Sequence, residues 1–299
     1  MTQKDGIIII DKECGTSSFG VVAGVKGMIK AKVGHAGTLD PFATGVLIIL
    51  INQGTKLSHF LMSQDKVYSA VLKLGVETDT QDLTGRVTKE RGIGSLTEED
   101  IRRKARNFSG TIKQVPPAYS AVHYKGKRAY EFARNGIAVA LQERDVRVNY
   151  INIVSVDIPN VWIEVGCGSG TYIRTLASDL GSSLNVGAHL TSLRRIRSGF
   201  FNVNNAVTLK EVAEHKANDK IEELIIPLKD ALRGMVEVEV SGKLAEKIRN
   251  GYRPLRDELR WREMPPFSSN EYVKVIIGKE LVAVLKGTGK TLDIARVFK

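Results

Sequence analysis

Gly6-Ile-Ile-Ile-Ile10 is an unbroken apolar run of strand length and reads as a buried strand. Thr16-Ser17-Ser18 follows, where a serine can cap, and predicts a helix from about Ser18 to Ala31. Val46 to Ile51 reads as a second strand and Lys56 to Met62 as a short helix capped by Thr55. Lys66 to Leu74 alternates like a half-buried strand. Thr97, with Glu98, Glu99 and Asp100 in the first turn, opens a helix to about Phe108, the acidic residues complementing its dipole. Lys127 to Asn135 predicts another helix with Gly136 as its left-handed stop. Strands from about Arg147 to Ile158 and Val161 to Cys167 precede a helix from near Thr171 to before Gly187.

Strands and helices do not alternate strictly, and several strands adjoin as hairpins. This predicts an α+β class with a mixed, mostly antiparallel sheet flanked by helices. Near Pro227 to Gly234 the texture changes. Met235 to Val240, Glu271 to Ile277 and Leu281 to Leu285 read as short strands around one short helix, a small β-rich C-terminal module. Asp257 to Asn270 carries no clear element.

The chain has 299 residues, 42% hydrophobic and 26% charged, the profile of a globular protein with a sizeable core. No window approaches eighteen consecutive apolar residues, so no membrane span is expected. The N-terminus lacks the apolar stretch of a signal peptide, and Cys14 and Cys167 have no metal-ligand spacing, so reduced thiols in the cytoplasm are expected. The 44 basic and 33 acidic residues leave a net charge of +11, which favours a polyanionic partner. The basic residues fall in separate clusters: 102–106, Lys125-Gly126-Lys127-Arg128, and Arg194-Arg195-Ile196-Arg197. Clusters of this kind could converge on one face and hold a folded RNA by its phosphates.

Asp40 is the most informative single residue. It stands in Gly34-His35-Ala36-Gly37-Thr38-Leu39-Asp40-Pro41, followed by Ala43-Thr44-Gly45. Pro41 disfavours the helical region at Asp40, and the three glycines permit close approach of backbone or ligand. A nucleophile or base in a cleft fits this setting; so does an ordinary Asp-Pro turn. Tyr68, in Asp65-Lys66-Val67-Tyr68-Ser69-Ala70, shares a strand face with Leu72 and Leu74, the usual place of a core aromatic. Arg174 stands at a helix start, electrostatically poor for a cation, which hints at an anionic partner. Two carboxylates, Asp79 and Asp82, lie in Thr78-Asp79-Thr80-Gln81-Asp82-Leu83-Thr84-Gly85, too few for a calcium cage.

Together these strings resemble the TruB-type pseudouridine synthases, in motif order and from Gly6 to Gly199. The Asp40 loop is similar to the signature loop. Asp11-Lys12-Glu13-Cys14-Gly15-Thr16-Ser17-Ser18 is similar to the first motif, with Glu13 where a proline is usual. Gly170-Thr171-Tyr172-Ile173-Arg174-Thr175-Leu176 and Gly187-Ala188-His189-Leu190-Thr191-Ser192-Leu193-Arg194-Arg195 resemble the later motifs. The run from Pro116 to Arg128, aromatic residues interleaved with basic ones, resembles the insertion that grips the T-arm of tRNA, with His123 where a lysine is often found.

The resemblance implies the pseudouridine synthase fold, with a catalytic domain over 1–232, a T-arm-binding insertion at about 116–145, and a PUA-like RNA-binding domain over 233–299. It implies isomerisation of a T-arm uridine in tRNA after base flipping, by a monomer with no metal, no cofactor and no obligate protein partner. Asp40 would be catalytic, attacking the sugar or assisting departure of the base. Tyr68 would stack on the target base, and Arg174 would pair with Asp40. Asp82 would share that arginine, while Tyr172, Leu193 and Lys12 would support the site. His35 would fill the gap left by the flipped nucleotide, and Lys125, Lys127, Arg128, Arg194 and Arg195 would contact RNA. Two rival readings keep the scaffold: a non-catalytic tRNA-folding chaperone and a guide-RNA-dependent synthase. A glycoside hydrolase is more remote, because no second carboxylate motif for acid–base work is present.

Overall fold

The computed structural model describes residues 5–259, 271–288 and 291–299. The chain begins with β1 (Gly6–Lys12), α1 (Ser18–Met28), β2 (Val33–Ala36), β3 (Thr44–Ile51), α2 (Ser58–Met62) and β4 (Lys66–Leu74). Next come β5 (Val76–Thr78), β6 (Val87–Glu90), α3 (Glu98–Arg106), β7 (Gly110–Gln114), β8 (His123–Tyr124), β9 (Lys127–Arg128) and α4 (Ala129–Arg134). The middle of the chain forms β10 (Arg144–Asp157), β11 (Asn160–Cys167), α5 (Ile173–Ser183), β12 (Ala188–Ser198), β13 (Phe201–Asn202) and α6 (Leu209–Ala217). The remainder supplies β14 (Ile226–Pro227), α7 (Leu228–Ala231), β15 (Val236–Glu239), α8 (Gly242–Arg249), β16 (Tyr272–Ile277), β17 (Glu280–Thr288) and β18 (Thr291–Val297).

One large sheet, in the order β14-β1-β3-β12-β4-β11-β10-β7, forms the frame, with β2 on β3 and β13 on β12. Its only parallel pairing of two strands among the described residues is the short junction of β12 with β3, which confirms the mixed, mostly antiparallel expectation. Alternation along the strands divides the core in two. Ile8, Ile10, Leu47, Ile49, Tyr68, Ala70, Leu190 and Leu193 point to the face covered by α1, α3, α5 and α6. Ile7, Ile9, Val46, Ile48 and Leu50 point to the opposite face. There they pack with Ile276, Leu281 and Val284 of the second sheet, β15-β16-β17-β18, and with Phe298 just after it.

β3 explains where the functional loop lies. One edge pairs with β1 along its full length; the other edge is shared. β2 takes Ile48 to Ile51, and β12 takes Thr44 and Gly45. The connection from β2 to β3 therefore lies in the fork between β2 and β12, and it carries Asp40.

Several local expectations need correction. Thr55 does not cap the helix at Ser58: a 3-10 turn, Asn52–Leu57, precedes it, and the Thr55 hydroxyl donates back to Asn52 O. The first helix ends at Met28 because Ile29 is extended and its N–H closes onto Val25 O. Lys127 and Arg128 belong to a hairpin strand, and the helix begins only at Ala129. The caps at Ser17 and Thr97 are as expected, the latter forming a reciprocal box with Asp100. The segment 260–270, most of the run without an assigned element, lies outside the described residues.

Candidate active site

Five strands place one row of residues across the helix-covered face: Lys12 opposite Gly45, Gly45 opposite Arg195, Arg195 opposite Tyr68, and Tyr68 opposite Val165. Cross-strand partners project to the same side, so two cations and a phenol stand together on an otherwise apolar surface. Gly45 makes the row possible. Its φ is +99°, and a Cβ there would lie 2.3 Å from Arg195 O.

The Asp40 loop rests on this row. Lys12, buried to 1% exposure, donates from Nζ to Pro41 O at 3.1 Å, Glu13 O at 2.9 Å and Thr16 O at 2.6 Å. Pro41 O also accepts from Gly15 N–H. Buried Ser18 both accepts from Leu39 N–H and donates to Leu39 O, tying the first turn of α1 to the residue before Asp40. The loop is thus held by backbone bonds on both sides of its carboxylate.

Arg174 reaches the loop from the first turn of α5. Its Nε lies 2.9 Å from Asp40 Oδ2, and Nη2 donates to Asp40 Oδ1 at 3.3 Å. Nη1 donates to Asp82 Oδ2 at 3.4 Å and to Thr80 O at 2.9 Å, while Nη2 also donates to Tyr119 O. The arginine is buried among these acceptors, which removes its freedom and fixes its charge. Asp82 is buried too, and its Oδ1 accepts from Thr80 Oγ1, Thr84 N–H and Thr84 Oγ1. Asp40 differs: 34% of its side chain remains exposed. Burial pushes its carboxyl above the usual carboxylate range and Asp82 adds to that push, while Arg174 and Lys12 pull back. An aimed and accessible carboxyl group is the outcome.

Tyr68 is buried in the core beside this group, opposite Arg195 on the neighbouring strand, where Leu193 faces Ala70. Burial raises its phenol above the ordinary value, and the Arg195 charge opposes the rise. Tyr172 sits at the N-cap position of α5, with its ring 5.2 Å from the Arg144 guanidinium. His35 is half-buried on β2, its Nδ1 without a hydrogen-bond partner; burial and Arg195 lower its pKa. Asp79 caps a turn by accepting Arg86 N–H.

The basic residues divide. Lys125, Lys127 and Arg128 are exposed on the β8–β9 hairpin, with Arg128 also donating to Ala121 O. Arg194 and Arg195 do not form a surface patch, because successive strand residues point to opposite faces. The Arg194 fork is engaged by both oxygens of Asp11, at 3.0 and 2.7 Å. Arg195 is 1% exposed and cannot meet RNA phosphates. That expectation is overturned.

Gln114 was not singled out by its sequence. Its amide accepts from Tyr172 N–H and donates to Tyr172 O, clamping the start of the helix that carries Arg174. Only its position just before Val115-Pro116 offers a clue, and a polar strand residue there is unremarkable. Thr80 and Thr84 were visible in the Asp82 string, but nothing there marks their hydroxyls as ligands of the aspartate.

Residues 26–173 match the model of the TruB family pseudouridylate synthase (N terminal domain). Residues 174–233 match that of the tRNA pseudouridylate synthase B C-terminal domain. The chain belongs to the TruB family. It is 42% identical to the tRNA pseudouridine synthase B of Syntrophus aciditrophicus, covering 94% of this chain and 91% of that one. It is 39% identical to the tRNA pseudouridine synthase B of Geotalea uraniireducens, covering 98% and 97%. Among solved structures, the Cbf5-Nop10-Gar1 complex contains a chain that superposes with a TM-score of 0.78 at 27% identity, covering 98% of this chain and 85% of that one. These matches carry the pseudouridine synthase fold, as expected from the motifs.

Proposed function

We propose that this TruB-family protein converts a uridine in the T-arm of tRNA to pseudouridine, acting as a monomer without guide RNA, metal or cofactor. The observation that carries the reading is the buried Arg174 holding an accessible Asp40 carboxylate beside Tyr68. The names of the TruB relatives support tRNA as substrate, and a tRNA substrate supports a cytoplasmic site of action.

Extruding the nucleotide costs a few kcal/mol, offset by stacking on Tyr68 and contact with Leu193. His35 occupies the space the base leaves. Asp40, oriented by Arg174, acts at the ribose, as nucleophile at C1′ or by easing departure of the base. The N1–C1′ bond breaks with its electron pair going to N1, giving a uracil anion. The base turns and C5 bonds to C1′, and any bond from Asp40 oxygen to C1′ breaks with its pair returning to the carboxylate. The C5 proton leaves to solvent and N1 takes up a proton. Nothing is oxidised or reduced. Lys125, Lys127 and Arg128, on the 116–145 insertion, grip the T-arm phosphates. Residues 1–232 form the catalytic domain, and the small sheet within 233–299 acts as a PUA-like RNA-binding domain.

A T-arm transcript tritiated at uridine C5 tests this. The wild-type protein is expected to release tritium to water and Asp40→Asn to release none. Tight binding without release would instead favour the tRNA-folding reading.

A further inference from the structure

Arg195 is among the largest fully buried side chains of the protein, and no carboxylate among the described residues forms an ion pair with it. A buried cation is costly unless its donors are satisfied, so the identity of its acceptors is informative. Nε donates to Val46 O at 2.7 Å and Nη2 to Gly37 O at 3.0 Å. Gly37 and Val46 stand on either side of the Asp40 loop. Lys12, two places along the cross-strand row from Arg195, holds a third carbonyl of the loop, that of Pro41.

The junction of β12 with β3 is only two residue pairs long. Backbone bonding there is too short to fix the fork in which the loop lies. The guanidinium extends it, bridging the two limbs of the loop, and its strand partner is Tyr68. Alternate placement on β12 sends Arg194 to Asp11 on the other face and leaves Arg195 alone beneath the site.

We propose that Arg195 is a positioning residue: it bridges the Gly37 and Val46 carbonyls to hold Asp40 in register with Tyr68, and it makes no contact with RNA. This rests on the pseudouridylation reading for its kinetic consequence. A displacement of about 1 Å at a reacting group can cost about 100-fold in rate. Arg195→Met is therefore expected to lower the single-turnover rate of tritium release by about 100-fold at saturating T-arm RNA. Its Kd for the transcript should stay within about threefold, and the dependence of log Kd on log salt should keep its slope, because no phosphate contact is lost. Arg195→Lys keeps the buried charge but cannot span two carbonyls. It should recover part of the rate, and it decides the matter if the methionine variant does not fold.

Hydrogen exchange supplies a readout independent of chemistry. The Ala43 amide, bonded to Asp40 O, should exchange faster in Arg195→Lys than in wild type, while the amides pairing β1 with β3 keep their protection. A wild-type rate with an unchanged Ala43 amide would overturn the proposal. So would weaker binding with a shallower salt slope, the signature of a phosphate contact. Wild-type protein that releases no tritium would instead count against the pseudouridylation reading, and the exchange experiment would still decide the role of Arg195.

Discussion

Asp40 and Asp82 bind the same guanidinium: Arg174 Nε stands 2.9 Å from one carboxylate and its Nη1 3.4 Å from the other. The two acids are not equivalent. Asp82 is enclosed and takes three further hydrogen bonds from Thr80 and Thr84, whereas Asp40 keeps an open side. One acid anchors the arginine, and the other is presented by it.

Removing the arginine should therefore harm both stability and rate. Arg174→Met leaves the enclosed Asp82 without its cation and should cost about 3–5 kcal/mol in urea unfolding. Arg174→Lys preserves charge but not the fork, so it should lose less stability while tritium release still falls by about 100-fold or more. Equal rates in wild type and the lysine variant would remove the guanidinium geometry from the argument.

The acid limb of the reaction is predictable in sign. Burial, the largest cause, raises the Asp40 pKa above its ordinary 3.8, so the single-turnover rate should climb with pH through a midpoint above that value. A raised carboxyl binds more protons in the native than in the unfolded state, so its contribution to stability falls as pH climbs through the same window. Asp40→Asn should abolish that part of the slope. Thermal unfolding of wild type and variant from pH 3.5 upward measures the difference.

Tyr68 combines core packing with a place opposite Arg195 in the cross-strand row. Tyr68→Phe keeps the buried ring and should leave the unfolding midpoint nearly unchanged, while release of C5 tritium reports what the hydroxyl contributes. Tyr68→Ala should cost about 3–5 kcal/mol because it empties a core position. An alanine variant of wild-type stability would mean that the ring lies outside the core.

The hairpin cations act differently. Lys125→Ala and Lys127→Ala should weaken T-arm binding uniformly across transcripts and each reduce the salt slope by about one. The rate at saturating RNA should be preserved. Filter binding at several salt concentrations reads both quantities.

Much of this arrangement is legible along the chain. β4 matches its expected bounds because Lys66 to Leu74 alternates, and α3 starts where Thr97 and its acidic first turn place it, though it ends at Arg106, short of the expected Phe108. β12 was less visible. Register shifts at Leu190/Ser192 and Arg195/Arg197 break the alternation, and its arginines resemble a surface cluster. The burial of Arg195 is invisible locally because its partners are backbone carbonyls, which have no side-chain signature, supplied by a distant part of the sequence. Gln114 fails for the same reason. Asp40 was conspicuous because proline and glycine restrict its backbone, a constraint written in neighbouring residues.

The cross-strand row has a consequence for how activity arises. Its members come from positions 12, 45, 68, 165 and 195, and they become neighbours only when β1, β3, β12, β4 and β11 have all paired. Closure between such separated segments is entropically slow and occurs late relative to local helix formation. The refolding chain should therefore regain helical signal before it regains any chemistry, and a fragment ending before β12 should have none. Catalytic competence in this protein is a report on completed topology.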